Sequence, residues 1–178
     1  MRLTSKHLVY ILLGLILAIA IVLRVYKIDS IPPSLSWDEA AVGYNAWTIA
    51  NFGKDEWGRF FPLTFTSFRD DKQPIHVYVT ALSVKLLGLS EFSTRLPSAI
   101  FGILSVLMIF FLAFALFKNY VISLFAAFFI AISPYSIHFS RQNHELNFAF
   151  FLFMLSLYLF LKGQTNQNYC RILFSDLG

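Results

Sequence analysis

The chain has 178 residues, of which 57% are hydrophobic, 18% aromatic and only 13% charged. That balance excludes a soluble domain and indicates an integral membrane protein. The formal charge of +4 is not gathered into a basic run or stripe, so it sets membrane topology and does not mark a nucleic-acid partner.

In chain order, Arg2 and Lys6 precede an apolar run from Leu8 to Leu23. The run has the look of a signal peptide but exceeds the usual hydrophobic region of about 7–15 residues. Arg24, Tyr26 and Lys27 stand where a small-residue cleavage site belongs. We read it as an uncleaved first span, residues 8–25. A long loop, residues 26–92, follows and holds all three tryptophans, Trp37, Trp47 and Trp57, a residue suited to the water–bilayer interface. Two interfacial helices are predicted in this loop. The first runs from Trp37 to Phe52, opened by an S-x-x-E capping box at Ser36 and Glu39 and closed by Gly53. The second runs from Pro74 to Leu87 and stops at Gly88. Its His76, Thr80 and Ser83 fall on one face, which is expected to meet polar surroundings, and it is expected to lie along the membrane. Three further spans are expected at residues 94–117, 120–137 and 144–162, and residues 164–178 form a polar tail, truncated or disordered. The fold class is therefore all-α integral membrane, with four spans plus two interfacial amphipathic helices. The single cysteine, Cys170, excludes an intrachain disulfide framework.

Lysine and arginine near short loops set orientation. Arg2, Lys6, Lys118, Lys162 and Arg171 gather on one side of a four-span chain, which places both termini in the cytoplasm and residues 26–92 outside. Asp38, Glu39, Asp70, Asp71, Lys72, Arg141, His144 and Glu145 then share the outer face. Each has a plain structural reading. Asp38 and Glu39 sit in the first turn of a capped helix, where carboxylates complement the helix dipole. Asp70, Asp71 and Lys72 form a solvated turn, and Glu145 begins a span that Asn143 could cap. The functional reading rests on their shared side. Ionisable groups near hydrocarbon tend to mark sites. A carboxylate there can act as general base or hold a divalent cation, Mg or Mn, with Asp38 and Glu39 as the candidate ligands. A lysine can neutralise a lipid phosphate.

Four segments in order, "WDEAAVGYNAW", "DDKQPIHVYVTALSVKLLG", "STRLPSAIFGIL" and "FSRQNHELNFAFFLFMLSLYLFLKG", resemble the polyprenyl-phosphate-dependent membrane glycosyltransferases of the GT-C fold. The likeness is to the protein O-mannosyltransferase and aminoarabinose-transferase-like group, over roughly residues 8–163. The resemblance implies transfer of a sugar from a polyprenyl-phosphate carrier, on the outer side of the cell membrane, to a protein, lipid or glycan acceptor. It implies Asp38 as the main catalytic carboxylate, Glu39 assisting or holding position, and Glu145 as the acid of the second outer loop. Lys72 and Arg141 are the expected contacts to the donor phosphate. Gln73 separates Lys72 from Pro74, where the family has them adjacent. Family members have many more spans, so the chain is expected to be an N-terminal portion. The alternatives are a non-catalytic scaffold or carrier-binding subunit and a small transporter; the near absence of charge within the spans disfavours the last.

Overall fold

The structure is a computed structural model that describes residues 6–165. Helix α1 (Lys6–Val25) is followed by α2 (Trp37–Phe52), a hairpin of β1 (Phe65–Ser67) and β2 (Asp70–Lys72), and α3 (Pro74–Leu87). Then come α4 (Glu91–Phe117), α5 (Tyr120–Ile132), α6 (Pro134–Arg141) and α7 (Glu145–Thr165). The molecule is an all-α integral membrane protein with one small hairpin. Helices α1, α4 and α7 are each long and apolar enough to cross a bilayer. Residues 164 and 165 of the expected polar tail are the last of α7, and the rest of 164–178 lies outside the described residues.

Both helices expected in the outer loop form where their caps are written. At the start of α2 the Ser36 hydroxyl accepts from the Glu39 N–H while the Glu39 carboxylate accepts from the Ser36 N–H. Gly53 closes it in the left-handed region at φ 68°, a conformation without penalty for glycine. Pro74 opens α3. With 14 residues, α3 is about 21 Å long, short of a hydrocarbon core of about 30 Å.

The third span differs from expectation. It is broken at Ser133–Pro134, and α5 and α6 meet at 55°. Proline has no N–H to continue the ladder and its ring clashes with the preceding turn, so α5 alone, 13 residues, is only about 20 Å long. The carbonyls freed at the break are taken by Arg24 at the end of α1, which donates to Ala131 O at 2.9 Å and Ile130 O at 3.0 Å. Arg24 also reaches the Ser136 hydroxyl at 2.9 Å. In return, Arg141 at the end of α6 donates to Leu23 O, Tyr26 O, Lys27 O and Ile31 O at 2.8–3.2 Å. Arg24 of α1 thus caps the end of α5, and Arg141 of α6 caps the end of α1.

Three apolar clusters hold the helices. Val9, Leu13, Ile16 and Ala20 of α1 meet Val106 and Phe110 of α4 and Leu124, Ala127 and Ala131 of α5. The fully buried alanines allow the close approach that membrane helices need, since lipid offers no hydrophobic drive toward packing. Met108, Leu112 and Met154 join α4 to α7. Val42, Ala46 and Ile49 of α2, Phe65 of β1, and Val77, Ala81 and Val84 of α3 form a separate core. This separate core makes the segment between α1 and α4 a packed layer that can position side chains.

Candidate functional site

The adjacent acids of "SWDEA" part company at the start of α2. Glu39 is buried, its side chain 2% exposed, against an Arg95 side chain that is fully buried. Arg95 Nε donates to Glu39 Oε1 at 2.8 Å and its second terminal nitrogen to Oε2 at 3.3 Å. The rest of the guanidinium binds Ile28 O, Pro32 O and Ser34 O at 2.6–3.0 Å. The Asn143 N–H, from the connection between α6 and α7, also donates to Glu39 Oε1, at 3.3 Å. One carboxylate therefore ties together the start of α2, the first turns of α4 and the connection between α6 and α7. A buried charge is tolerated only when paired and hydrogen-bonded in this way.

Asp38, one residue earlier, faces outward with its side chain 56% exposed. Its Oδ1 accepts from Lys72 Nζ at 2.5 Å. Lys72 also donates to Asp70. The hairpin makes this possible: pairing of Phe65 with Lys72 and of Ser67 with Asp70 fixes both side chains against α2. The lysine stem is buried and only its ammonium reaches the acids. Burial pulls the Lys72 pKa down, but the hydrogen bonds and charges of Asp38 and Asp70 outweigh it and the net displacement is upward. The hydrogen bond and charge of Lys72 hold Asp70 below the usual carboxylate range. An ammonium has three N–H donors. Two are given to the acids, and the third has no partner among the described residues.

The polar stripe of α3, expected to meet polar surroundings, turns into the protein, where, among the described residues, Thr80 and Ser83 find polar partners and His76 does not. Thr80 accepts from Asn143 Nδ2 at 2.8 Å and Ser83 donates to Ser93 O at 2.7 Å. His76 is 1% exposed and lies on Phe148 with ring centroids 5.8 Å apart. Among the described residues, neither of its ring nitrogens has a hydrogen-bond partner. Burial lowers its pKa to about 4, opposed by the charge of Glu145 and reinforced by His144 and Lys72. Lys72 and Glu145 thus act on one imidazole. Glu145 stands at the head of α7, 3.6 Å from His144 Nδ1. That helix start is capped by His144, whose Nδ1 accepts from the Leu146 N–H at 3.2 Å. Asn143, the cap suggested by the sequence, points inward to Thr80 instead.

Of the expected site residues, Asp38 and Lys72 are in contact, whereas Glu145 pairs with His144 and makes no hydrogen bond or ion pair with either among the described residues. Glu39 is adjacent but engaged in the scaffold. Arg141 spends its donors on the end of α1. As a cation site, Asp38 and Glu39 do not fit: one faces out to Lys72, the other inward to Arg95. Among the described residues no group of three His, Cys, Asp or Glu side chains could hold a metal ion. Sequence reasoning missed Arg95 and Asn143 as members of this assembly, and set Asp70 on the shared face without giving it a role. Arg95 had a signal: an arginine set against a long apolar run, "RLPSAIFGIL", needs a buried partner.

Residues 71–175 match a family model described as dolichyl-phosphate-mannose-protein mannosyltransferase. No curated protein and no solved structure matches the chain.

Proposed function

We infer the function from one premise: the chain belongs to the dolichyl-phosphate-mannose-protein mannosyltransferase family, whose members are membrane glycosyltransferases using a polyprenyl-phosphate-linked sugar. We propose that this chain works as such an enzyme, or as part of one, on the outer face with both termini in the cytoplasm. It takes the sugar from a polyprenyl-phosphate carrier and gives it to a hydroxyl of a protein, lipid or glycan.

The observation that carries the reading is Lys72, held between Asp38 and Asp70 with one N–H left over. A phosphate oxygen is the natural acceptor for that third N–H. Asp38, exposed beside Lys72 at the start of α2, is then the general base. In an inverting displacement the acceptor O–H loses its proton to Asp38. The acceptor oxygen bonds to the anomeric carbon while the bond from that carbon to the phosphate oxygen breaks. The electron pair leaves with the polyprenyl phosphate, whose charge Lys72 offsets. Glu39 positions Asp38 by fixing the helix start to Arg95. Glu145 brings a second carboxylate from the second outer loop. Arg141, engaged with the α1 carbonyls, holds the scaffold in this reading and does not touch phosphate.

The test uses the full-length protein in lipid vesicles with a polyprenyl-phosphate mannose, expression being matched. Asp38→Asn is expected to lower turnover by about 10² or more, as loss of a general base does. Lys72→Met is expected to raise the KM for the carrier. Turnover of Asp38→Asn within a few-fold of wild type ends the catalytic assignment and favours a scaffold that binds the carrier.

A further inference from the structure

We propose that Trp37 and Phe68 form a binding wall for a pyranose ring beside Asp38, with the C–H face of the sugar against the Trp37 indole and its hydroxyls toward Asp38 and Asp70. This rests on the reading of Asp38 and Lys72 as the reacting site, and it adds the residues that recognise the sugar.

The two rings are among the most exposed aromatics of the chain, 78% for Trp37 and 70% for Phe68. They meet edge to face with centroids 6.3 Å apart and planes at 88°. Exposure alone is ordinary in a membrane protein. What distinguishes this pair is its attachment. Trp37 directly precedes Asp38 and Phe68 lies two residues before Asp70, and both of those acids hold Lys72. The aromatic wall and the charged cluster are one assembly, made from the head of α2 and the tip of the hairpin.

The hairpin tip itself is under strain. Ser67 pairs with Asp70, so Phe68 and Arg69 are the whole turn, with φ of 53° and 63°. Two residues with positive φ make the tight turn that asparagine and glycine favour and bulky side chains do not. A strained phenylalanine persists where the surrounding structure requires its placement. Here the placement sets its ring against Trp37.

A pyranose matches this surface chemically. Its ring C–H groups carry partial positive charge and complement the negative face of an aromatic ring. Its hydroxyls donate to carboxylates, and Asp38 and Asp70 are the exposed ones at hand. Either the donor's sugar or an acceptor glycan could supply the ring, and the probes separate them.

The full chain, labelled with 5-fluorotryptophan in phosphatidylcholine nanodiscs, gives fluorine resonances for Trp37, Trp47 and Trp57 that single Trp→Phe variants assign. The probes are decaprenyl-phosphate mannose, decaprenyl phosphate and methyl α-mannopyranoside. The expected result is a saturable shift of the Trp37 resonance with the mannosyl carrier and none with the bare carrier. A saturable shift with methyl α-mannopyranoside as well assigns the wall to free glycan in addition to donor. Equal shifts with mannosyl and bare carrier, or broadening by spin-labelled lipid with no response to either sugar, overturn the proposal. The second arm is the double variant Phe68→Asn with Arg69→Gly, which gives the turn the residues it favours. It should unfold no more easily than wild type, yet bind the sugar about 10-fold more weakly, the range of one lost aromatic contact. Unchanged affinity in this folded variant overturns the wall. If Lys72→Met leaves carrier binding intact while the Trp37 response to sugar persists, the function assigned to Lys72 falls and the wall stands.

Discussion

Asp38 and Glu39 are consecutive in sequence and opposite in environment: one side chain is 56% exposed beside Lys72 and the other 2% exposed against Arg95. The helix start turns one acid toward the outer surface and locks the other into the protein. Substitution should separate them. Glu39→Gln leaves the buried Arg95 guanidinium only the more distant and more exposed Glu91 carboxylate, at 3.9 Å, and breaking one side of a buried pair costs about 3–5 kcal/mol. Asp38→Asn at the exposed position should change stability by no more than about 1 kcal/mol. Thermal unfolding of the two variants in one detergent checks this. Equal losses of stability would show that the two acids share one structural role.

His76 makes stability depend on pH in mild acid. Its folded pKa is about 4 against an ordinary value of 6.5. The unfolded chain therefore binds a proton below about pH 6.5 that the folded chain refuses until about pH 4. Stability is full above the unfolded value, is lost as pH falls between the two, and levels off below about 4. The difference amounts to about 3 kcal/mol as an order of magnitude. His76→Phe replaces an imidazole whose nitrogens lack partners among the described residues with a ring suited to the neighbouring Phe148. This variant should flatten the loss of stability between pH 6.5 and 4 without lowering stability at pH 7.5. A slope as steep as wild type would place the titrating group elsewhere.

The helices of the outer loop were legible because their boundaries are local. Ser36 and Glu39, Gly53, Pro74 and Gly88 state where α2 and α3 begin and end. The hairpin was not, because its strands are three residues long and Phe68–Arg69 is not a turn sequence. Pro134 was visible near the end of the third apolar run, but the bend it makes depends on Arg24, which lies more than a hundred residues away. The fate of Glu39 was hidden for the same reason: its partner Arg95 is 56 residues distant. The site's residue types could be read from sequence, whereas the division of labour between neighbouring acids depends on tertiary contacts.

Topology is tested by labelling. With Cys170→Ser as background, Lys54→Cys lies in the packed outer loop and Lys118→Cys in the exposed link between α4 and α5. In intact cells an impermeant maleimide is expected to label position 54 and to reach position 118 only after permeabilisation. Labelling of position 118 alone would invert the chain and put the Asp38 cluster in the cytoplasm, where an outer-face transfer has no place.

Helix α6, which leads into the connection that carries Asn143, comes very close to α4 at Gly102. A Cβ built there would run into the Ser140 side chain and press on Arg24 Nε. Ser140 is fully buried, donates to Ser136 O at 2.6 Å and accepts from Arg24 at 3.3 Å, so it cannot swing aside without losing those bonds. Gly102→Ala should therefore cost about 1–3 kcal/mol, the usual range for overpacking, although alanine is otherwise the better helix former. Ser140→Gly removes the clashing atoms at its own cost of roughly 1 kcal/mol for glycine in a helix. If the close approach is the cause, the double variant will be more stable than the sum of the single changes predicts, by about 1 kcal/mol or more. Carrier binding should follow the same pattern, since moving α6 away from α4 pulls on Asn143 and, through its N–H, on Glu39. Strict additivity in stability would show that the two helices can separate at this point without strain, and the link from Arg24 through Ser140 to the acidic pair would then be lost.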